Sequence, residues 1–262
     1  MNTTIKIARF EVRDVLRSRW LIGYGVFFLL VTDALLRFGS GEKALLSLVN
    51  VVLFVTPLVT LVFATVYQYN SREFIELLLA QPVKRRQLFG GLYMGITLPV
   101  SIVFVLSVAL PIILHRNDTP VGAGTLIALL GIGFALTAVF TALAFLIVSR
   151  VDDRMKGLGL AIVLWLLFAI LYDGVVLLLV TILADHPLER PLLALMTLNP
   201  IDLARVALLL RFDVSALLGY TGAVMRQFFG GGAGIAIAST ALAVWISVPL
   251  MLALRGFERK DF

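Results

Sequence analysis

The sequence predicts an all-α membrane protein with six transmembrane helices, an N-terminal amphipathic helix and short external helices between spans five and six. Three observations support this fold class. Of the 262 residues, 60% are hydrophobic and only 15% are charged, whereas soluble domains carry about 25% charged residues. The apolar residues form continuous runs, unlike the alternating pattern of outer-membrane barrels. The Lys and Arg residues cluster beside those runs, as membrane topology requires.

The whole chain, 1–262, is interpreted as a single membrane domain, because the apolar runs extend over nearly all of it. The net charge of +6 comes from short clusters beside those runs, so it does not indicate binding to nucleic acid. The absence of cysteine excludes a disulfide or a thiolate metal site. The first nineteen residues hold five basic residues and no uninterrupted apolar core, so we expect no cleavable signal peptide.

Six segments have the roughly 20 mostly apolar residues that a spanning helix needs. They are 20–38, 45–68, 88–114, 122–149, 157–184 and 234–254. An even number of spans places both termini on one face of the membrane. The segments on that face hold fifteen of the 22 Lys and Arg residues. By the positive-inside rule, both termini are therefore predicted to be cytoplasmic.

Residues 1–19 are predicted to form an amphipathic helix on the cytoplasmic side. Apolar residues such as Ile5 and Phe10 alternate there with basic residues such as Lys6 and Arg9. This pattern suits a helix in the membrane interface, with its basic groups near anionic headgroups. The alternative is a plain cytoplasmic extension of the first span.

The segment 70–88 is the most informative part of the chain. It lies between two long apolar runs and carries consecutive basic residues at Lys84, Arg85 and Arg86. We expect Pro82 and the residues just before it to form an amphipathic helix. A basic segment of this kind on the cytoplasmic face usually presents a surface to a partner, so the chain is interpreted as one subunit of an assembly.

Between the fifth and sixth spans, the segment 185–233 is predicted to contain short external helices. Asn199 is expected to cap a helix that begins at Pro200, with Asp202 in the first turn near the positive end of the dipole. Thr221 is a candidate cap for a second short helix. The apolar side chains of helices outside the membrane must be shielded from water. The helices could lie on the bilayer surface, dip into the bilayer or dock on a partner.

Two carboxylates lie within the predicted spans, where a charge costs about 2.5–3.5 kcal/mol at mid-bilayer. Asp33 is four residues before Arg37, so the two share a helix face and are expected to form an ion pair. Asp173 in the fifth span has no basic neighbour on its own helix. We expect it to face another helix, the subunit interface or a polar cavity, as a functional residue or as a structural acceptor.

The sequence offers no catalytic residues, metal site or cofactor site. No G-x-x-x-x-G-K-[ST] phosphate loop is present, and the glycine cluster at 230–234 lacks the lysine. The two histidines, His115 and His186, are both predicted to be external and are interpreted as loop residues. The six methionines form no cluster of the kind that soft copper ions favour.

The segment after the second span resembles that of ABC-type export permeases, which reads close to E-G-T-L-E-L-L-L-A-x-P-V-S-R-x-x-x-x-x-G-K. Residues 76–85 match it well, whereas Glu73 and Phe74 replace the Gly-Thr pair and Gly91 and Leu92 stand at the terminal Gly-Lys. The C-terminal residues 255–262 are similar to the usual ending of such permeases. The resemblance covers essentially the whole chain, including the amphipathic N-terminal helix and the six spans.

A narrower likeness is to permeases of transporters that serve copper-centre maturation in nitrous-oxide reductase. It rests on residues 198–205, 212–213 and 216–224, and on residues 164–165 and 171–173 of the fifth span. The resemblance implies a homodimer in the bacterial cytoplasmic (inner) membrane, with two copies of a cytoplasmic ATPase that binds ATP and magnesium. It also implies a periplasmic accessory protein, and a sulfur species or another factor for the copper site as cargo.

Within this resemblance, particular residues are expected to contact the partners. Those expected at the ATPase are Glu73, Glu76, Leu77, Pro82, Arg85, Arg86, Asp152 and Asp153. Those expected at the external partner are Asn199, Asp202, Arg205 and Arg211. ATP binding would close the two ATPase subunits on each other. This closure would tilt the spans as rigid bodies, and the tilt would move the external helices.

Three other functions stay open at this point. The first is a generic export permease for a drug, lipid or polysaccharide, and the second is a membrane scaffold that passes ATPase motion to an external partner without moving anything. The third is an ion-coupled carrier that uses Asp33 and Asp173. It ranks last because the two halves of the chain show no evident inverted repeat.

Overall fold

A computed structural model describes residues 3–39, 41–115, 122–182, 195–211 and 232–259. The secondary structure of these residues is helical, with no strand among them. Six helical segments in this part of the chain are long and apolar enough to cross a membrane. The predicted all-α membrane fold with six spans is confirmed.

The helices begin and end close to the positions predicted from the apolar runs. They are α1 (Thr3–Leu16), α2 (Arg19–Phe38), α3 (Gly41–Asn70), α4 (Arg72–Leu79), α5 (Arg85–Leu114), α6 (Ala123–Arg150), α7 (Arg154–Leu166), α8 (Tyr172–Ile182), α9 (Pro200–Arg211) and α10 (Gly232–Arg259). A π-helical segment, Leu167–Leu171, joins α7 to α8 without a break. These three elements together form the fifth span.

Helices α5 and α6 form the centre of the bundle, because they are the most buried of the six spans. Helices α1 and α2 pack on α5, whereas α3, α9 and α10 pack on α6. Phe104 illustrates the packing at the centre: its ring meets that of Phe28 edge-on, with the centroids 5.3 Å apart. Its other side lies over Gly133, where a side chain would collide with the ring. The fifth span is the least buried and exposes most of its apolar side chains.

Helix α1 packs closely on the first half of α5 because two glycines, Gly91 and Gly95, lie on the same face. A Cβ atom on Gly91 would lie 2.8 Å from Cγ2 of Ile7, and one on Gly95 would collide with the Glu11 side chain. The helical structure is interrupted between α1 and α2, where residue 18 is not helical. The predicted N-terminal helix is therefore a separate element, and its position in the membrane interface stays a prediction.

Replacing Gly95 by alanine should loosen α1 from α5, because the new methyl group overlaps Glu11. Overpacking of this kind costs about 1–3 kcal/mol, so the melting temperature of the purified protein should fall. Gly90→Ala is the matched control, because its Cβ would lie at an ordinary 3.7 Å from Thr4. Equal melting temperatures for the two variants would show that the glycine does not determine this contact.

Helix α9 is an interior helix rather than a surface helix. Ile201, Leu203, Ala204 and Leu208 are fully buried, and the helix packs against α3, α6 and α10. The spans of the same chain therefore bury the apolar side chains of α9. The second short helix that was predicted at Thr221 lies outside the described residues.

Candidate functional site

Helix α4 is the amphipathic helix that was expected between the second and third spans. Ile75 on one side is buried, whereas Leu77 is 68% exposed. The helix ends at Leu79, and Pro82 lies in the turn that follows. The prediction that Pro82 belongs to the helix is wrong. The prolyl ring offers no N–H to the helical hydrogen bonds and disfavours helical backbone at Gln81, so ending the helix before Pro82 is favourable. Contact between α4 and an ATPase stays a prediction.

Arg72 connects α4 to the short loop before α7. Its Nε lies 3.3 Å from Oε1 of Glu76, and its Nη1 lies 3.9 Å from Oδ1 of Asp152. Nearby, the Tyr69 hydroxyl donates a 2.8 Å hydrogen bond to the carbonyl of Val151. The helix and the loop, both predicted to contact the ATPase, therefore form one continuous surface. We call this the coupling surface, made by residues 72–77 and 151–153.

Asp153 has a structural role within the coupling surface. Its Oδ1 accepts a 2.8 Å hydrogen bond from the backbone N–H of Lys156, so Asp153 caps the N-terminus of α7. A carboxylate at this position also meets the positive end of the helix dipole. The cap sets where the fifth span begins, and an additional contact of Asp153 with a partner stays a prediction.

Arg85 and Arg86 join the start of α5 to the end of α10. Nη1 of Arg85 donates to the carbonyl oxygen of Glu258 at 2.8 Å. Nε of Arg86 lies 2.7 Å from Oε1 of the same residue. Cations at a helix C-terminus satisfy its free carbonyls and complement its dipole. Both arginines therefore have partners within the chain, and their contact with an ATPase stays a prediction.

A phenol–carboxyl cluster fastens α1 to α3 at the same end of the bundle. The Tyr67 hydroxyl lies 2.6 Å from Oε2 of Glu11 and 2.8 Å from Oδ2 of Asp14. Burial raises the pKa of the Glu11 carboxyl, and the charge of Asp14 raises it further, although the hydrogen bond from Tyr67 acts in the opposite direction. This cluster was not predicted from the sequence, because Glu11 looks like one more polar residue of an amphipathic helix.

The ion pair predicted in the first span is confirmed. Nε of Arg37 lies 2.8 Å from Oδ2 of Asp33, and Nε2 of His115 lies 3.7 Å from the other carboxylate oxygen. His186 lies outside the described residues. Within the described ranges, no three His, Asp or Glu side chains are grouped so that they could hold a metal ion.

The carboxylate of the fifth span meets a cation from α9. Nη1 of Arg205 lies 2.9 Å from Oδ2 of Asp173 and 3.0 Å from Oδ1 of Asp202. One guanidinium nitrogen therefore bridges two carboxylates on different helices. The expectation that Asp173 faces another helix is confirmed. We call these three residues the external triad.

Asn199 connects the external triad to the π-helical segment. Its Oδ1 accepts a 2.9 Å hydrogen bond from the N–H of Ile201, so the predicted start of α9 is confirmed. Its Nδ2 donates to the carbonyl of Phe168 at 2.8 Å and to Oδ2 of Asp202 at 3.0 Å. Such π segments occur frequently at functional sites, and this one ends two residues before Asp173.

The external triad carries one excess negative charge when both carboxylates are ionised. Burial and the neighbouring Asp173 raise the pKa of Asp202 to about 7, although Arg205 and Asn199 act in the opposite direction. A carboxyl pKa that is higher in the folded state favours folding below the unfolded value of 3.8. That contribution is lost as the pH rises through about 7.

The residues predicted to dock an external partner have internal roles in this structure. Asn199 and Asp202 are buried, and Arg205 is held by two carboxylates. The side chain of Arg211 lies outside the part of the chain that is described. Docking of a partner on these four residues stays a prediction.

Two curated proteins are similar to the chain over nearly its whole length, and both bear the name Probable ABC transporter permease protein NosY. The one from Pseudomonas aeruginosa is 29% identical over 271 residues, which cover 97% of this chain and 97% of that protein. The one from Stutzerimonas stutzeri is 28% identical over 282 residues, covering 99% of each. Residues 71–262 also match the family described as ABC-2 family transporter protein. The resemblance noted in the sequence is confirmed.

Proposed function

The chain belongs to the ABC-2 family of transporter proteins and is a permease subunit of an ABC transporter, and from this premise we propose how it works. It couples a separate cytoplasmic ATPase to a periplasmic partner and serves copper-centre assembly in nitrous-oxide reductase. The cargo is a sulfur species or another factor for that centre. The permease is not itself the ATPase, so ATP and magnesium bind to the partner chain.

The continuity of the fifth span, Arg154–Ile182, is the observation that carries the proposal. At its first turn the span adjoins the coupling surface, where Arg72 reaches Asp152. Nineteen residues after Arg154, which is roughly 29 Å along a helix, Asp173 pairs with Arg205 of α9. A tilt that begins at the coupling surface would therefore displace α9 at the other end of the bundle.

The charge pattern supports a cytoplasmic position for the coupling surface, because the segments on that face hold most of the Lys and Arg residues. We infer that both termini are cytoplasmic and that the membrane is the bacterial inner membrane. Two copies of the permease and two ATPase subunits form the complex. The least buried span, the fifth, exposes apolar side chains such as Leu177 and Leu178, which are available to lipid or to the second copy.

The role in nitrous-oxide reductase maturation is carried over from the family resemblance noted in the sequence, and the similarity to two proteins named NosY agrees with that resemblance. Deleting the gene for this chain in its own host should leave the reductase polypeptide in place but without its complete copper–sulfide centre. The absorption spectrum and the sulfide content of the purified reductase measure this loss. A plasmid copy of the gene should restore both, and a reductase with a normal centre in the deletion strain would favour a generic export permease.

Transport itself is tested separately from maturation. Inverted vesicles that contain the permease and its ATPase should show ATP-dependent movement of a labelled sulfur compound across the membrane. The control is the same vesicle preparation with an ATPase variant that binds ATP without hydrolysing it. Maturation without any movement of label would favour the scaffold, which only passes motion to the external partner.

A further inference from the structure

A groove of about 560 Å³ opens between α2 and α3, at the end where α2 begins. Its walls are apolar or aromatic and include Phe27, Val55 and Val59. Gly23 forms part of the floor, and nothing lies within 4 Å of the position that a Cβ atom would take there. The absence of a side chain at Gly23 therefore helps to keep the groove open.

The mouth of the groove is positively charged. Arg19 is exposed and is the one charged residue in the lining. It is also the first residue of α2, where Ser18 makes no side-chain hydrogen bond to the first turn. The positive end of the helix dipole therefore adds to the attraction for an anion.

The dimensions and the chemistry of the groove match one class of ligand. Arg19 and Phe27 are eight residues apart, which is about 12 Å along a helix, so an acyl chain can follow the wall between them. Trp20 beside the mouth is 74% exposed, as expected of an aromatic residue at the headgroup level. We propose that the groove binds an anionic phospholipid, with the acyl chain on the apolar wall and the phosphate on Arg19.

A second copy of the chain is the competing occupant. In a two-fold symmetric contact residue i of one copy meets residue j of the other, and j meets i. A second copy would therefore have to place an apolar segment on the wall and an anionic side chain at Arg19, because the lining contains no acidic residue. A phospholipid supplies both the negative charge and the apolar chain, and the proposal does not depend on which cargo the transporter moves.

Fluorescence quenching of Trp20 tests the proposal on the full-length protein in bilayers. The signal of Trp20 is the difference between the wild type and Trp20→Phe, because the chain has three tryptophans. The quenchers are phosphatidylglycerol and phosphatidylcholine with brominated acyl chains, each at the same mole fraction in unbrominated phosphatidylcholine. We expect the anionic lipid to show about fivefold higher apparent affinity at low salt, since one basic residue near the surface contributes that much.

Two variants separate the headgroup from the acyl chain. Arg19→Gln should remove the headgroup preference, whereas the matched control Arg17→Gln should keep it. Gly23→Leu should fill the groove and weaken quenching by both lipids. Its control is Gly131→Leu, also with nothing near the added Cβ but on a different span.

Equal quenching by the two lipids, or no change in Gly23→Leu, would overturn the proposal, because bulk lipid would then account for the signal. Chemical crosslinking of the same samples examines the competing occupant. If Gly23→Leu lowers crosslinking between copies and the wild type shows no headgroup preference, the groove is an interface between subunits.

Discussion

Replacing Leu77 by glutamate should abolish coupling to the ATPase while leaving the chain folded. Leu77 belongs to the coupling surface and is 68% exposed, so the substitution removes little packing within the chain. If the ATPase covers this side chain, the change buries an unpaired charge at an interface. Such positions cost about 2–4 kcal/mol when altered, which corresponds to a roughly 30-fold or greater loss of affinity. Transporter-dependent ATPase activity in proteoliposomes measures the effect.

Leu114→Glu is the matched control for this experiment. Leu114 is the same residue type, is 70% exposed and is the last residue of α5, at the end of that helix away from the coupling surface. Its substitution should leave co-purification of the ATPase and the ATPase rate unchanged. Wild-type activity in Leu77→Glu would show that the ATPase binds elsewhere on the permease.

Replacing Arg205 by leucine should detach α9 from the fifth span. The external triad would keep Asp173 and Asp202 but lose the cation between them. Removing one partner of a buried ion pair costs about 3–5 kcal/mol of folding free energy. Because the Asp173 side chain is 44% exposed, we expect Arg205→Leu to cost about 3 kcal/mol or less. The melting temperature of the protein and the maturation of the reductase in the host should both fall.

The double variant Arg205→Leu with Asp173→Leu is the control, because it removes both partners of the ion pair between α9 and the fifth span, and replacing a buried ion pair by apolar residues is often neutral. Asp202 keeps its hydrogen bond from Asn199 in this variant. The double variant should recover most of the melting temperature. The pH dependence gives a second readout. Between about pH 4 and pH 7 the wild type should lose stability, because the Asp202 carboxyl stays protonated in the folded state up to its pKa of about 7 but ionises near 3.8 in the unfolded chain. Asp202→Asn should lose less stability over that range. A double variant as unstable as Arg205→Leu would contradict the assigned role of the charge.

The elements that the sequence predicted correctly are those determined by local chemistry. The six spans follow from the length of apolar chain needed to cross a bilayer. The start of α9 follows from the capping chemistry of Asn199 and Pro200. The pair of Asp33 and Arg37 follows from a spacing of four residues on one helix.

The features that the sequence did not predict depend on contacts between distant parts of the chain. Arg205 belongs to a segment that was expected outside the membrane, and only the packing of α9 against the spans brings it to Asp173. Glu11 is buried because Gly95, 84 positions later, admits α1 so closely. The π-helical segment replaces i→i+4 hydrogen bonds by i→i+5 bonds. Residues 163–171 are all apolar, so the sequence contains no polar face that would show this shift.

The contact of Arg85 with the last turn of α10 has a consequence for biosynthesis. The two residues that it joins, Arg85 and Glu258, are separated by 173 positions. At about 5–20 residues per second, roughly 10–35 s pass between translation of the arginine and translation of its acceptor. During that time α5 can enter the membrane and receive α1, but the arginine has no carbonyl of α10 to bind. Closure of this end of the bundle therefore requires synthesis of the chain through the last turn of α10, and a product truncated before Glu258 would lack this contact.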